Sequence, residues 1–392
     1  MEYRKFTAEN IFDGREILSG KNVLVFEKGG NFKEIIPLKE AGENIEHFEG
    51  LLCPGFINCH CHLELSHLKG KIPKGTGLVD FVFKVVTERH YEEDEILSAI
   101  RSAEEEMSGS GIVAVGDICN NVLTIQPKKN SKIRFQNFIE VSGWAPEVSS
   151  LRFSKSQLYF QEFEKYFKDN SIVPHAPYSV SEPLWEMLST TFDGRIVSIH
   201  NQESKAEKLF FEEGRGEFVK MYEMMKIDNL HFQPTGMSSV MNYFKKLEKA
   251  KKVILVHNTF TEQHDLNYIN QHSKNDQILS YCICINANVY IENAVPPIGL
   301  LRGNNCNLVI GTDSLASNES LNMLDEMKSI QSAFTDISLQ ELLRWSTLNG
   351  AIALGFEKTL GSFEAGKKPG VVLIEGIDHV RLHNDSISKR IF

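Results

Sequence analysis

The sequence of 392 residues lacks any apolar run of the roughly 18 residues or more that a membrane-spanning helix needs. Its first ten residues, MEYRKFTAEN, have no apolar core, so we expect no signal peptide. Basic residues are also in deficit, 42 against 52 acidic ones, for a formal net charge of −10. Because binding to phosphates needs a basic surface, the sequence predicts neither a nucleic acid nor a membrane as partner.

Cysteines are few and show no disulfide pattern. There are seven, an odd number, and most of them lie within apolar runs. A reduced, cytoplasmic protein is therefore expected. No glycine-rich dinucleotide fingerprint follows the first predicted strand, which excludes the most common cofactor site of an open α/β sheet.

Apolar, β-rich segments recur through the middle of the chain and alternate with helical periodicity, as at Ile96, Ile100 and Ala103. Apolar strands without alternation are expected where both faces of a parallel sheet are buried. The sequence therefore predicts an α/β protein with a (β/α)8 TIM barrel, and an open doubly wound sheet is the alternative. The eight predicted strands are residues 54–63, 111–118, 133–141, 171–178, 195–202, 252–260, 279–286 and 308–315.

The two ends of the chain differ from its middle. Residues 1–53 and 357–392 contain short strand-like pieces and glycine turns, and neither end is long enough to form a stable sheet alone. We expect one small β-sandwich domain built from both termini, flanking a barrel of residues 54–356.

Histidine and aspartate recur at the ends of the predicted strands. Functional groups of a barrel lie at the C-terminal ends of its strands, so these side chains should converge on one mouth. They are His60 and His62 on the first strand, His175 on the fourth, His200 on the fifth, His257 on the sixth and Asp313 on the eighth.

The segment NCHCHLE places four potential metal ligands in four consecutive positions. Residues two apart on a strand point to the same face, so His60 and His62 face one way and Cys59 and Cys61 the other. If the histidines face the interior, both imidazoles can bind one ion and the cysteines pack against helices. The alternative is a thiolate zinc site, which lacks a second cysteine pair at suitable spacing.

A catalytic metal keeps about three protein ligands and an open position. His60, His62 and His200 offer nitrogen, and Asp313 offers a carboxylate. This mixture suits Zn²⁺ or Fe²⁺ better than Mg²⁺ or Ca²⁺. Glu203, three residues after His200, is the candidate proton shuttle, and a carboxylate that favours a helix start is the alternative.

The order of these motifs resembles the amidohydrolase superfamily, in the branch with one metal that includes adenosine-type, guanine and S-adenosylhomocysteine deaminases and chlorohydrolase-like enzymes. The resemblance runs from residue 54 to residue 370. It rests on PGFINCHCHLELS, HAPYSVS, HNQES, VHNTFT, CICINAN, GTDSLASN and TLNGAIALGFEKTLGSFEAGKKPG.

The resemblance implies a role for each matching residue. The implied metal ligands are His60, His62, His200 and Asp313. They hold one divalent ion, and Zn²⁺ is favoured over Fe²⁺. Glu203 is the implied acid/base that protonates a ring nitrogen, and His257 and Asp313 position and deprotonate the attacking water. The implied substrate-binding residues are Glu64, His175, Ser314 and Asn318.

Two stretches depart from the family pattern. The strand-seven motif Cys-Pro-x-Ser-Asn reads CINAN at residues 284–288, which changes the expected wall of the pocket. The closing motif Gly-Lys-x-Ala-Asp reads GKKPG at residues 366–370, in the small domain. No lysine ends the fourth strand, where binuclear relatives carry a carboxylated one, and this implies a single metal.

The expected activity is hydrolytic deamination of an aminopurine nucleoside or a related small amino-heterocycle, acting on a carbon–nitrogen bond that is not a peptide bond. The segment HLELS at residues 62–66 resembles aminodeoxyfutalosine deaminases more than S-adenosylhomocysteine or guanine deaminases. The Glu64 carboxylate could accept hydrogen bonds from ribose hydroxyls, or else pair with a loop lysine such as Lys69.

Other functions stay open at this point. The same ligands would serve deaminases of adenosine, S-adenosylhomocysteine or guanine, hydrolysis of a cyclic amide as in imidazolonepropionase, or hydrolysis of a carbon–chlorine bond. A barrel kept only as a scaffold is the non-enzymatic alternative, although scaffolds usually lose ligands. A homodimer is left open, as is the conformation of residues 66–95, a connection long enough to cover the mouth.

Overall fold

The computed structural model describes residues 3–378 and 381–392. Its strands are β1 (Tyr3–Phe12), β2 (Ile17–Ser19), β3 (Asn22–Glu27), β4 (Phe32–Pro37), β5 (Glu46–Cys53), β6 (Phe56–Cys61), β7 (Ile112–Cys119), β8 (Arg134–Val141), β9 (Asn170–Pro174), β10 (Ile196–Asn201), β11 (Lys252–His257), β12 (Ile278–Ile283), β13 (Leu308–Ile310), β14 (Val372–Asp378) and β15 (Arg381–Arg390).

Helices follow each of the strands β6 to β13. They are α1 (Leu78–Glu88), α2 (Glu93–Gly109), α3 (Ile125–Lys129), α4 (Ser149–Glu164), α5 (Glu182–Ser189), α6 (Lys205–Glu213), α7 (Glu217–Met224), α8 (Ser239–Tyr243), α9 (Gln263–His272), α10 (Ile285–Glu292), α11 (Ile298–Gly303), α12 (Met323–Ala333), α13 (Leu339–Arg344) and α14 (Gly350–Ala353). Within the described residues, no helix combines the length and the apolar composition needed to cross a membrane.

The eight middle strands form a closed parallel barrel. Strands β6 to β9 pair in order, and so do β10 to β13. The two sets of four strands meet at two seams, one between β9 and β10 and the other between β13 and β6. At the first seam, the His200 amide donates to the His175 carbonyl at 3.0 Å. At the other seam, the amides of Thr312 and Asp313 donate to the His60 carbonyl, both at 3.1 Å. The predicted TIM barrel is confirmed, and the open-sheet alternative is excluded.

The barrel strands are buried on both faces, which explains their apolar sequences. Every residue of β6, β7, β9 and β11 is buried. Several predicted strands run too long. Among them, β9 stops before His175, and β13 stops before Asp313, whose φ of 58° turns the chain. These two functional residues therefore lie just beyond strand ends, in backbone that can bend toward the mouth.

Both termini contribute to one seven-stranded sheet, ordered β15-β14-β5-β1-β3-β4 with β2 paired to β1. Its core is a set of phenylalanines. Phe26 contacts Phe32, Phe363 and Phe392, with ring centroids 5.2, 5.9 and 5.5 Å apart. Rings from the first strands thus pack against the last residue of the chain. The β domain made from both termini is confirmed, while its exact boundaries, 1–53 and 357–392, stay a prediction.

Candidate metal centre and active site

The four predicted metal-binding side chains lie together at the mouth of the barrel. The Nε2 atom of His62 lies 3.1 Å from His60 Nε2 and 3.3 Å from His200 Nε2. The Oδ1 atom of Asp313 lies 3.5 Å from His60 Nε2 and 3.4 Å from His62 Nε2. Ligand atoms that surround a tetrahedral zinc ion at 2.0–2.1 Å are about 3.3–3.4 Å apart, so these side chains fit a metal without rearrangement.

His257 joins this cluster. His60, His200, His257 and Asp313 each offer a ligand atom within 4.8 Å of the others, and all four residues are buried. The Nε2 atom of His257 is buried and has no hydrogen-bond partner among residues 3–378 and 381–392. An unpaired buried nitrogen is costly unless something binds it, so it marks a place for a bound group.

Hydrogen bonds at the far ring nitrogens fix two tautomers. The Nδ1 of His200 donates to the His175 carbonyl at 2.8 Å, and the Nδ1 of His257 donates to Asn288 Oδ1 at 2.7 Å. Each Nε2 then carries a lone pair directed into the cluster. Such partners of the second nitrogen are the usual means of orienting metal-binding histidines.

The carboxylate of Asp313 is held from its other side. Ser317 Oγ donates to Asp313 Oδ2 at 2.5 Å, which leaves Oδ1 facing the imidazoles. Burial disfavours the charged form, but the hydrogen bond with His60 and the nearby histidines outweigh it, and the pKa of Asp313 is lowered. Asp313 is thus an anion beside the imidazoles.

Burial disfavours the charged form of four neighbouring imidazoles. It lowers the pKa of His62 and His200 well below the usual range, and that of His175 and His257 to about 4. Neutral imidazole is the form that binds a metal ion. At neutral pH the cluster is therefore ready for a cation.

Strained backbone surrounds the same cluster. His257, Asn258, Gln202 and Asp313 have φ values of 74°, 55°, 47° and 58°, in the left-handed region that residues other than glycine rarely adopt. Such strain persists only where neighbouring contacts impose it. Here Asn258 Oδ1 accepts from Asn201 Nδ2 at 3.0 Å, and Gln202 Nε2 donates to the carboxylate of Asp265 at 2.7 Å.

The two cysteines of the NCHCHLE segment lie outside this cluster. Cys59 and Cys61 are fully buried in the apolar core, and Cys59 packs against Gly350 of α14. Burial raises the pKa of both thiols well above the usual value, which disfavours the thiolate that would bind a metal. Cys59 and Cys61 thus face away from the histidine cluster, as the two-residue period of a strand predicts.

Glu203 reaches the cluster from the end of β10. Its Oε1 lies 3.5 Å from His257 Nε2, and its side chain is 5% exposed. Burial raises the pKa of Glu203 well above the usual range, and the charges of Asp313 and Glu207 add to the shift. Glu207 also accepts hydrogen bonds from the backbone amides of Gln202 and Glu203, at 3.1 and 3.2 Å. The Glu203 carboxyl, which is buried and has a raised pKa, is suited to accept and return a proton.

A cavity of about 430 Å³ opens above the metal-binding cluster. Its floor includes His62, His200, Glu203 and Asp313. Its roof is apolar and comes from α1 and the end of α7. The roof residues are Leu78, Phe81, Val82, Val85, Val86, Met221, Tyr222, Met225 and Ile227. The long connection at residues 66–95 thus supplies a helix over the mouth.

The predicted substrate-binding residues divide into two groups. His175 and Ser314 line the cavity. Glu64 does not; its oxygens accept from Arg89 Nη2 and the Asn120 amide, both at 2.9 Å. The ion pair of Glu64 is therefore with Arg89, not with the alternative partner Lys69.

Asn318 also points into the protein. Its Nδ2 donates to the Thr312 carbonyl at 2.9 Å and to Glu326 Oε1 at 2.8 Å, which holds the loop after β13. Direct contact of the substrate with Asn318 or Glu64 stays a prediction, because the polar atoms of both side chains are already engaged.

Several functional neighbours were not identified from the sequence. Asn288, in the motif that departs from the family pattern, orients His257. Glu140, at the end of β8, lines the cavity, and burial raises its pKa to about 8. The position of Glu140 at a strand end was the available signal, since the same rule identified the histidines.

The family model for amidohydrolases ("Amidohydrolase family") matches residues 51–390. The chain belongs to the amidohydrolase family. It is 28% identical over 352 residues to an aminodeoxyfutalosine deaminase of Nitratiruptor, with 86% of this chain and 82% of that one covered. It is 25% identical over 364 residues to an adenosine deaminase of Helicobacter pylori, with coverages of 90% and 86%.

Solved structures share the fold. An aminofutalosine deaminase of Helicobacter pylori in complex with methylthio-coformycin superposes with a TM-score of 0.83 at 22% identity, covering 99% of this chain and 100% of that one. An adenosine deaminase of Xanthomonas campestris with bound zinc gives a TM-score of 0.71 at 18% identity, with coverages of 95% and 84%.

The lowered histidine pKa values predict how metal binding depends on pH. A histidine with a lowered pKa stays neutral as the pH falls through 6.5, so protons do not compete with the metal until the pH is lower still. We expect the Kd for Zn²⁺, measured by competition with a chelator of known pH dependence, to stay constant within about threefold between pH 7.5 and 6.0. If His62 and His200 had ordinary pKa values, the affinity would fall roughly tenfold over this range.

Proposed function

We propose that this protein is a metal-dependent hydrolytic deaminase of aminopurine nucleosides. One observation carries the proposal: the Glu203 carboxyl lies 3.5 Å from His257 Nε2, beside the histidine and aspartate cluster and inside the cavity. A proton carrier next to a metal-binding cluster is the arrangement that hydrolysis of an amino-bearing ring carbon needs.

The residues that would hold the ion are His60, His62, His200 and Asp313, and we propose Zn²⁺ as the ion. Three neutral nitrogens and one carboxylate suit zinc, and the similar adenosine deaminase of Xanthomonas campestris has bound zinc. When bound, such an ion lowers the pKa of water toward about 7.

The side chains of the protein then handle the protons. Water adds to the ring carbon that bears the amino group, Glu203 moves a proton from that water to the adjacent ring nitrogen, and the carbon–nitrogen bond to the amino group breaks. Ammonia leaves and a carbonyl remains. His257, held by Asn288, positions the water. Asp313 accepts the second proton of that water and passes it to the departing amino group, which leaves as ammonia.

The shape of the cavity supports a nucleoside that carries a further substituent. The apolar roof of α1 and α7 extends beyond the metal-binding floor, so a group attached to the sugar can pack beneath it. Of the nucleosides handled by the similar proteins, we propose aminodeoxyfutalosine as the substrate. The 28% identity to an aminodeoxyfutalosine deaminase supports this choice.

Free cysteines support a proposal about location. All seven cysteines are free, and six of them are buried. Thiols kept reduced suit the cytoplasm, where we propose the enzyme acts.

Substitution of Glu203 by glutamine tests the mechanism. We expect Glu203→Gln to retain about one equivalent of metal while kcat falls by about 10² or more, because the amide cannot carry the proton. The measurements are metal content by mass spectrometry and release of ammonia from the substrate.

The matched control is Glu213→Gln, an exposed carboxylate at the end of α6 that pairs with Arg215. It should leave kcat unchanged. Unchanged turnover in Glu203→Gln, or loss of the metal from that variant, would contradict the role assigned to Glu203.

A panel of amino-heterocycles tests the substrate. We expect the highest kcat/KM with aminodeoxyfutalosine, lower values with adenosine and S-adenosylhomocysteine, and the lowest with guanine, which has no sugar to bind. Ammonia release is the readout. If a cyclic amide or a chlorinated triazine were hydrolysed while no nucleoside was deaminated, the proposed function would be wrong.

A further inference from the structure

Glu140 is a buried carboxylate that the proposed reaction does not use. It lies at the end of β8 and lines the cavity, with a side chain only 4% exposed. Its Oε1 lies 3.8 Å from His200 Nδ1, too far for a hydrogen bond. Because Nδ1 is the ring nitrogen remote from the metal-binding cluster, Glu140 lies beside the reaction centre rather than in it.

One oxygen of Glu140 is held by the protein and the other is not. Asn120 Nδ2 donates to Glu140 Oε2 at 3.1 Å. Oε1 has no partner among the described residues. A buried carboxylate oxygen without a hydrogen bond is unfavourable, so its retention at a cavity wall points to a ligand that supplies the missing donor.

A chain of contacts sets the position of this carboxylate. Glu64 forms an ion pair with Arg89 and accepts a hydrogen bond from the backbone amide of Asn120. The side chain of Asn120 in turn donates a hydrogen bond to Glu140. Glu64 therefore acts as a positioning residue, through Asn120, on the side chain that lines the cavity. This arrangement also connects the roof helix α1, which ends beside Arg89, to the cavity wall.

A second metal ion is a poor occupant for this place. Glu140, His175 and His200 have ligand atoms within 4.8 Å of one another. However, the Nδ1 of His200 donates to a carbonyl and its Nε2 faces the first cluster, so His200 has no lone pair left for a second ion. Two remaining ligands are fewer than a bound ion requires.

We infer that Glu140 binds the substrate by accepting hydrogen bonds from the vicinal hydroxyl groups of its sugar. This inference rests on the proposed deamination of a nucleoside and deepens it. With the amino-bearing ring carbon at the cluster and at Glu203, the remaining donors of a nucleoside are its hydroxyl groups. Burial raises the pKa of Glu140 to about 8 in the empty site, and hydroxyl donors that reach Oε1 favour the ionised form again. The ionised carboxylate then accepts two such bonds and donates none, which matches a diol.

A cycle of two variants and two substrates tests the inference. The substrates are a ribonucleoside that the protein deaminates and its 2′,3′-dideoxy analogue, and the variants are Glu140→Ala and Glu140→Gln. We expect Glu140→Ala to lower kcat/KM for the ribonucleoside by about 10- to 100-fold, mainly through KM, as the loss of hydrogen bonds to a charged group predicts. For the dideoxy analogue, Glu140→Ala should change kcat/KM by no more than about threefold. For the ribonucleoside, Glu140→Gln should lower kcat/KM less than Glu140→Ala does, because the amide keeps one acceptor oxygen.

Each other outcome has a definite meaning. Equal losses on both substrates, or a loss in kcat with KM unchanged, would overturn the binding role of Glu140 while leaving deamination intact. Metal content that falls from two equivalents to one in the variants would also overturn it, in favour of a second ion. If Glu140→Ala does not fold, as judged by thermal unfolding, the isosteric Glu140→Gln decides by the same ratio. If no nucleoside is deaminated by the unmodified protein, the proposed function fails, and the inference fails with it.

Discussion

Ring nitrogens of three histidines lie close together at the mouth of the barrel, with His62 Nε2 3.1 Å from His60 Nε2 and 3.3 Å from His200 Nε2. Burial lowers the pKa of His62 and His200 well below the usual range, so these two rings are uncharged at neutral pH. A metal cation between these nitrogens would be bound by the imidazoles and by the Asp313 carboxylate at once. Burying a polar group costs free energy unless the group binds a partner, and a metal ion is the partner that fits this cluster.

The same residues also close the barrel. The His175–His200 seam and the seam of His60 with Asp313 are both made by backbone hydrogen bonds of residues whose side chains face the site. A change in either seam would therefore move site side chains along with the barrel wall. The hydrogen bond of the Asp313 amide to the His60 carbonyl also helps to hold Asp313 in its strained conformation, with a φ of 58°.

Apolar runs were sufficient to predict the barrel strands, because these strands are buried on both faces. The two-residue period of a strand was the second guide. It placed His60 and His62 on one face and Cys59 and Cys61 on the other, as the buried, apolar surroundings of Cys59 bear out. The ends of strands were harder to predict. β13 stops at Ile310 because the chain bends where the Asp313 amide meets the His60 carbonyl, a contact between residues 253 positions apart.

Contacts of this kind also explain what the sequence could not predict in the site. Asn288 reaches His257 across 31 positions, and Asn120 reaches Glu140 across 20. Glu64 follows the predicted metal ligands, and its contact with the substrate stays a prediction. Its ion pair with Arg89, 25 positions away, could not be predicted from the sequence. Only the folded chain shows which polar atoms are hydrogen-bonded and which, like Glu140 Oε1, have no partner among the described residues.

The central claim is that histidine nitrogen and aspartate oxygen, rather than cysteine sulfur, bind the metal. X-ray absorption spectroscopy at the zinc edge of the purified, zinc-loaded protein tests it most directly. We expect the metal to be surrounded by nitrogen and oxygen atoms at about 2.0–2.1 Å, with no sulfur. A sulfur shell near 2.3 Å would contradict it, because Cys59 or Cys61 would then be a ligand and the strand would face the opposite way.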